Sequence, residues 1–219
     1  MAQPARKIKA KGQETRRLLL EKAAGVFSER GFHAARVEEI CAAAQVAKGT
    51  LYQYFEGKDE ILVACFELFH DRATHFLAQV LKDPLRDALA NREAFRNSMA
   101  DFVRKFFVFC GENSSLVALT IHEPRALRET VGARFVTLRS LSHRSLDPFI
   151  QNAKLRGWVR SLVSSQSLAL FSTGVLLDIA ERAILPKLGA VTAVEMKEIV
   201  EGALAFLYGG LKFDESGAP

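Results

Sequence analysis

Between Val46 and Leu62 the chain reads VAKGTLYQYFEGKDEIL, and its residues divide into two sets. Val46, Leu51, Phe55, Ile61 and Leu62 are apolar at spacings that suit burial under short helices. Lys48, Gly49, Thr50, Tyr52, Tyr54 and Lys58 lie between them and carry chemistry suited to a nucleic acid. A lysine neutralises a phosphate or reaches guanine O6 and N7, and a threonine bonds a phosphate or touches a thymine methyl. A tyrosine ring packs on sugar or methyl groups while its hydroxyl bonds a phosphate oxygen. Gly49 removes a side chain near a helix start, where backbone N–H groups can then approach a phosphate. Lys58, at the start of the following helix, is a further anion-binding candidate. The competing reading of the same residues is a three-helix subdomain with half-buried packing tyrosines.

The elements that would hold these side chains are helices. Leu19, Leu20, Ala23, Val26 and Phe27 fall on one face of a helix over Gln13–Arg30, and Gly31 supplies its stop. Val37–Ala44 makes a short second helix, with Ile40 and Ala44 inward. After the turn Gln45-Val46-Ala47, a third helix runs Ala47–Phe55. Two short helices about a tight turn form a helix-turn-helix, whose second helix can lie in a major groove. Leu51 and Phe55 then anchor inward, leaving Lys48, Thr50, Tyr52 and Tyr54 for the opposite side. Ahead of this head, six basic residues up to Arg17 face one acid, Glu14. That local excess equals the net charge of +5 for the whole chain. A basic arm of this kind suits polyphosphate and can enter an adjacent minor groove.

The stretch TRRLLLEKAAGVFSERGFHAARVEEICAAAQVAKGTLYQYFEGKDEIL, residues 15–62, resembles the DNA-binding region of the TetR (tetracycline-repressor-like) family. The matching features are Thr15-Arg16, Ala23-Ala24, Phe27, Gly31-Phe32, Ile40, Ala44 and Val46. Gly49-Thr50-Leu51-Tyr52, Tyr54-Phe55, Lys58 and Leu62 complete them. The resemblance implies a homodimeric transcriptional regulator, usually a repressor released from its operator by a small molecule. By position it places Arg36, Lys48, Gly49, Thr50, Tyr52, Tyr54 and Lys58 at the DNA. Three residues depart from the family pattern. Arg36 stands where Thr or Ser often faces a phosphate, Gln45 where the turn usually has glycine, and Ala47 where Ser or Thr often caps the recognition helix.

Beyond the head, helical periodicity continues without internal repeats. Expected helices run from about Gly57 to Pro84, near Arg92–Cys110, up to Pro124, and from Ala126 to about Leu155. Ser165–Leu185 and Ala193–Leu211 close the chain. The expectation is an all-α fold of about nine helices. Residues 1–12 form a basic arm, 13–56 the head, 57–213 a ligand-binding and dimerisation body, and 214–219 a tail. The last two helices carry more apolar surface than one helix face needs. Gly174, Ala180, Gly202 and Ala203 permit close approach, so these helices are the expected homodimer interface, as the resemblance favours; the competing reading is burial in their own monomer's core. Phe102, Phe106 and Phe109 lie along one helix face, and with His122 they are candidates for an apolar effector cavity. An ordinary aromatic core is the commoner meaning of such a stripe, because aromatics dominate cores.

Composition narrows the rest. At 219 residues, 49% hydrophobic and 25% charged, the chain reads as globular. The most apolar window, SLALFSTGVLLDIA, carries Asp178 and is too short to span a bilayer. MAQPARKIKAKGQ has no apolar run behind its charges, so a cytoplasmic protein is expected. Cys41, Cys65 and Cys110 lack metal-ligand spacing, and no phosphate-binding glycine loop or nucleophile–base signature is present. Neither an enzyme nor a cofactor is expected. An activator, a ligand-independent regulator of the same family, and a sequence-indifferent DNA-binding protein remain the alternatives.

Overall fold

A proline at the first helical position opens helix α1, Pro4–Arg30. Our computed structural model of the protein describes residues 4–82, 90–132, 138–159, 162–187 and 191–211. The helix thus starts well before the expected Gln13, and residues 4–12 of the basic arm are helical. Their sequence, rich in Ala, Arg and Lys, favours that state. The other helices are α2 (Val37–Ala44), α3 (Lys48–Tyr52), α4 (Lys58–Lys82), α5 (Arg92–Glu112) and α6 (Ser114–His122). They are followed by α7 (Pro124–Val131), α8 (Leu138–Leu155), α9 (Ser165–Ile179) and α10 (Ala193–Leu211). The fold is all-α, with ten helices and no strand among the described residues.

The expected long helix over Ala126–Leu155 is two helices. Gly132 ends α7 with φ at 58°, a backbone that breaks a right-handed helix. α9 does continue to the expected Leu185, through a π turn at Ala180–Ile184 and a 3-10 turn at Leu185–Lys187. Tail residues 214–219 lie outside the described residues.

The chain forms two compact units, the first within residues 1–70 and 115–135, the second within 71–114 and 136–219. In the first, α1 packs on α2 and α2 on α3. The residues that line α1's apolar face by period, Leu19, Leu20, Ala23 and Phe27, are buried together with Ile40, Leu51, Phe55, Ile61 and Leu62. Gly31 turns the chain out of α1 at φ 80°, and a Cβ there would meet Glu123 Oε1 at 3.4 Å. Phe32, just after it, sets its ring edge-on to Phe27 at 5.4 Å.

In the second unit, α8 packs on α9, and α10 packs on both α5 and α9. Phe95 of α5 stacks on Phe149 of α8 at 4.5 Å. Helix ends are capped as their sequences require. Asn91 accepts from the Ala94 N–H at 2.8 Å, and Ser164 from the Ser167 N–H at 3.1 Å. Thr192 and Glu195 form a reciprocal capping box at the start of α10. Among the described residues no helix is long and apolar enough to cross a membrane, and no metal-ligating cluster is found. All three cysteines are buried, and burial pushes each thiol pKa upward, which disfavours the reactive thiolate.

Candidate nucleic-acid interface

α2, the turn and α3 are locked together by backbone bonds before any side chain acts. The Val46 N–H donates to Cys41 O at 3.0 Å and the Gln45 N–H to Ala42 O at 3.1 Å. That 6→1, 5→2 pair is a Schellman motif. Its left-handed position is taken by Gln45, at φ 55° and ψ 41°, the one non-glycine residue with positive φ among the described residues. The turn geometry is therefore kept, at a cost of roughly 1–2 kcal/mol for an L residue. Glycine would relieve that cost, and its greater freedom when unfolded would cancel about half of the gain. Gln45→Gly is expected to stabilise the protein by about 0.5–1 kcal/mol, read by urea unfolding.

Ala47 begins α3 with extended backbone and no side-chain cap, the loss its residue type implies. α3 is shorter than the expected Ala47–Phe55. It ends at Tyr52, and Tyr54 sits in the turn after it, its N–H bonded to Leu51 O at 2.9 Å. Leu51 is fully buried and Phe55 nearly so, with the Arg16 guanidinium 5.2 Å from the Phe55 ring centroid. These anchors turn the helix so that Lys48, Gly49 and Tyr52 are exposed, while Thr50 and Tyr54 are half-buried.

Each candidate contact has its own setting. Arg36 precedes α2 and is exposed. Having no acceptor, its side chain cannot cap the helix, so only half of a capping box forms, with Glu39 accepting from the Arg36 N–H at 2.9 Å. Lys48 Nζ donates to Glu38 Oε1 at 2.5 Å and stands 5.9 Å from the Tyr52 ring centroid. The hydrogen bond to Lys48 holds the Glu38 carboxyl below the usual carboxylate range and raises the Lys48 ammonium above its own. Tyr54 places its hydroxyl 3.6 Å from where a Cβ on Gly12 would stand.

Lys58 is turned into its own unit. Its Nζ donates to the His33 and Ala35 carbonyls at 3.0 and 3.1 Å and lies 4.7 Å over the Phe32 ring. It ties the α1–α2 connection to the start of α4. Neither its partners nor Glu38 could be read from sequence spacing, because both pairs join residues far apart in the chain.

Gly49 is instructive in another way. A Cβ built on it meets no atom within 4 Å, so the fold does not require glycine there. Gly49→Ala is expected to raise stability by up to about 1 kcal/mol, since alanine is the better helix former. A phosphate approaching the bare backbone would lose about tenfold in affinity to the same methyl. Opposite signs for melting and for DNA titration would mark Gly49 as a binding residue.

The effector candidates separate. Phe102 and Phe106 are buried, their rings 6.1 Å apart in the core of the second unit. Phe109 instead stacks on Phe76 at 4.6 Å, and both line an open cleft of 550 Å³ between α4 and α5. Val80 and Val108 extend its apolar floor, and Arg72, His75, Arg104 and Lys105 stand on its walls. His122 is exposed at the end of α6, in the first unit. On the closing helices Leu170, Phe171, Val194 and Phe206 are exposed. Gly174 and Gly202 have open space at the Cβ position, whereas Ala180 and Ala203 are buried in their own unit.

Comparison with known proteins identifies this arrangement. Residues 19–65, which span the turn and α3, match the model of the bacterial regulatory proteins of the tetR family. This segment belongs to the tetR family. It is 34% identical over 112 residues to the HTH-type transcriptional regulator YdgC of Bacillus subtilis, 51% of this chain and 55% of YdgC. The likeness to FasR, an HTH-type transcriptional activator of Mycolicibacterium smegmatis, is 27% identity over 90% of this chain and 83% of FasR. This chain spans about half the length of the first two curated relatives it matches. Among solved structures, FadR from Bacillus subtilis in complex with stearoyl-CoA has the same fold, with TM-score 0.58 and 19% identity. That likeness covers 88% of this chain and 97% of FadR.

Proposed function

We propose that this protein is a homodimeric transcriptional regulator that reads a palindromic operator through α2, the turn and α3. The observation that carries the reading is the division of α3. Leu51 is fully buried, while Lys48, Gly49 and Tyr52 form an exposed face with no packing purpose of their own. Arg36, Thr50 and Tyr54 border that face and complete the proposed contact set. Lys58 supports it mainly from behind, by fixing the connection ahead of α2. One head offers few base contacts, so useful affinity needs two at fixed spacing, supplied by a symmetric dimer. The exposed apolar residues and open glycines of Ser165–Leu185 and Ala193–Leu211 support pairing there. A cytoplasmic location goes with this role.

The action proposed is repression, released by an apolar small molecule bound in the second unit. The stearoyl-CoA held by FadR supports a long acyl chain as the first effector class to try. Such a ligand lowers DNA affinity only by its differential affinity for the two dimer geometries. α4 is continuous from Lys58 to Lys82 and contributes residues to both units, which makes it the proposed carrier of the change. Activation is the second reading, favoured by the likeness to FasR over most of the chain.

The test is a titration of DNA from upstream of the protein's own gene, with random duplex as competitor and long-chain acyl-CoA as the added effector. The reading requires a dimer in sedimentation, saturable binding that competitor does not remove, and weaker binding with acyl-CoA. Tighter binding on acyl-CoA addition would favour activation. Binding that random duplex removes in proportion to its mass would refute sequence reading.

A further inference from the structure

Lys48 is the exposed cation of α3, yet it is held. Its ammonium meets Glu38 of α2 across the turn, and both side chains are more than half exposed, at 53% and 62%. Glu38 lies in the first turn of α2, where the helix dipole favours a carboxylate. Ten positions separate the two residues, so only the helix-turn-helix geometry brings them together. The fold has little need of the pair. Exposed ion pairs contribute about 0–1 kcal/mol, and α2 and α3 already pack together, with Ile40, Ala44 and Leu51 buried and the turn between them held by backbone bonds.

A carboxylate beside a DNA-reading face opposes phosphates. Phosphates recur along every duplex, so a free lysine gains the same counterion-release energy on any sequence. With Glu38 bound, the charge of Lys48 is neutralised in place, and that gain is withheld. An ammonium has three donors. One to Glu38 leaves two that can meet neutral acceptors on a base edge, such as guanine O6 and N7.

We propose that Glu38 is a specificity-determining residue of the DNA interface, a positioning residue that keeps Lys48 from indiscriminate phosphate binding and reserves it for a base edge. The inference rests on the DNA-reading function proposed above. It makes discrimination, rather than affinity, the property that Glu38 governs.

The experiment compares wild type, Glu38→Gln, Lys48→Ala and the double variant. Glu38→Ala, which removes the charge without introducing an amide, is run beside them. Each is titrated at several salt concentrations with a duplex enriched by wild type from a random library, and with an unselected random duplex of the same length. Glu38→Gln is expected to bind the unselected duplex about fivefold tighter at low salt, with a slope of log K against log salt steeper by about 1.8, one phosphate more for each head of the dimer. Its affinity for the enriched duplex is expected to stay within about twofold, so the discrimination ratio falls. In the Lys48→Ala background the same change is expected to leave ratio and slope unaltered. Equal gains on both duplexes, or an unaltered slope and ratio in the single variants, overturn the role of Glu38 and leave sequence reading intact. A wild type that enriches no duplex overturns sequence reading and this inference together.

Discussion

Leu51→Ala is expected to destabilise the first unit by about 2–5 kcal/mol and to abolish operator binding. Leu51 is wholly buried, and the size of the effect follows from the lost methyl groups plus the cavity they leave. The loss falls on an element that cannot compensate. α3 has only five residues and no side-chain cap, so tertiary anchoring, not its own helical tendency, holds it in place. Phe55 remains as a second anchor, which sets the unfolding cost within that range rather than above it. Urea unfolding followed by circular dichroism measures the first effect, and DNA titration the second. An unchanged midpoint would mean that α3 is not held by the contact described.

The second large effect is on binding alone. The pair Lys48→Ala and Tyr52→Ala is expected to lower operator affinity by at least about 10²-fold, since each good base or backbone contact contributes about 1–3 kcal/mol and a dimer uses every contact twice. Stability should move by no more than about 1 kcal/mol, because both side chains are exposed, and their mutual cation–π contact and the Lys48–Glu38 ion pair are open to water. Loss of binding with an unchanged melt separates recognition from folding. Loss of both would return the tyrosine to the packing role that its residue type also allows.

The head was legible in the sequence because its determinants are local. Leu19, Leu20, Ala23 and Phe27 repeat at helical spacing and are buried, Gly31 stops α1, and Val37–Ala44 forms as the pattern requires. Where sequence reasoning fell short, the missing term was tertiary. Lys58 read as an anion site, yet the carbonyls of His33 and Ala35 take its ammonium from more than twenty positions away. Glu38 carries no signal in the sequence, because the turn, not the spacing along the chain, brings it to Lys48. Gln45 looked like a defect in the turn, but the two bonds of the Schellman motif hold it left-handed.

In the second unit Phe102, Phe106 and Phe109 of α5 are all buried, as their helical spacing requires. One face of a helix, however, meets several neighbours. Phe102 and Phe106 went to the core, and Phe109 to the cleft with Phe76. The break after α7 depended on the left-handed φ of Gly132, which periodicity does not register.

Selection of bound DNA from a random duplex library, at low and moderate salt, tests the central claim most directly. A dimeric reader using α3 predicts an enriched inverted repeat whose half-sites are centred about one helical turn apart, retained at the higher salt and lost in the Lys48→Ala, Tyr52→Ala protein. No enriched sequence, with binding that vanishes at moderate salt in both proteins, would contradict it and leave only the attraction of a basic N-terminal segment for phosphate.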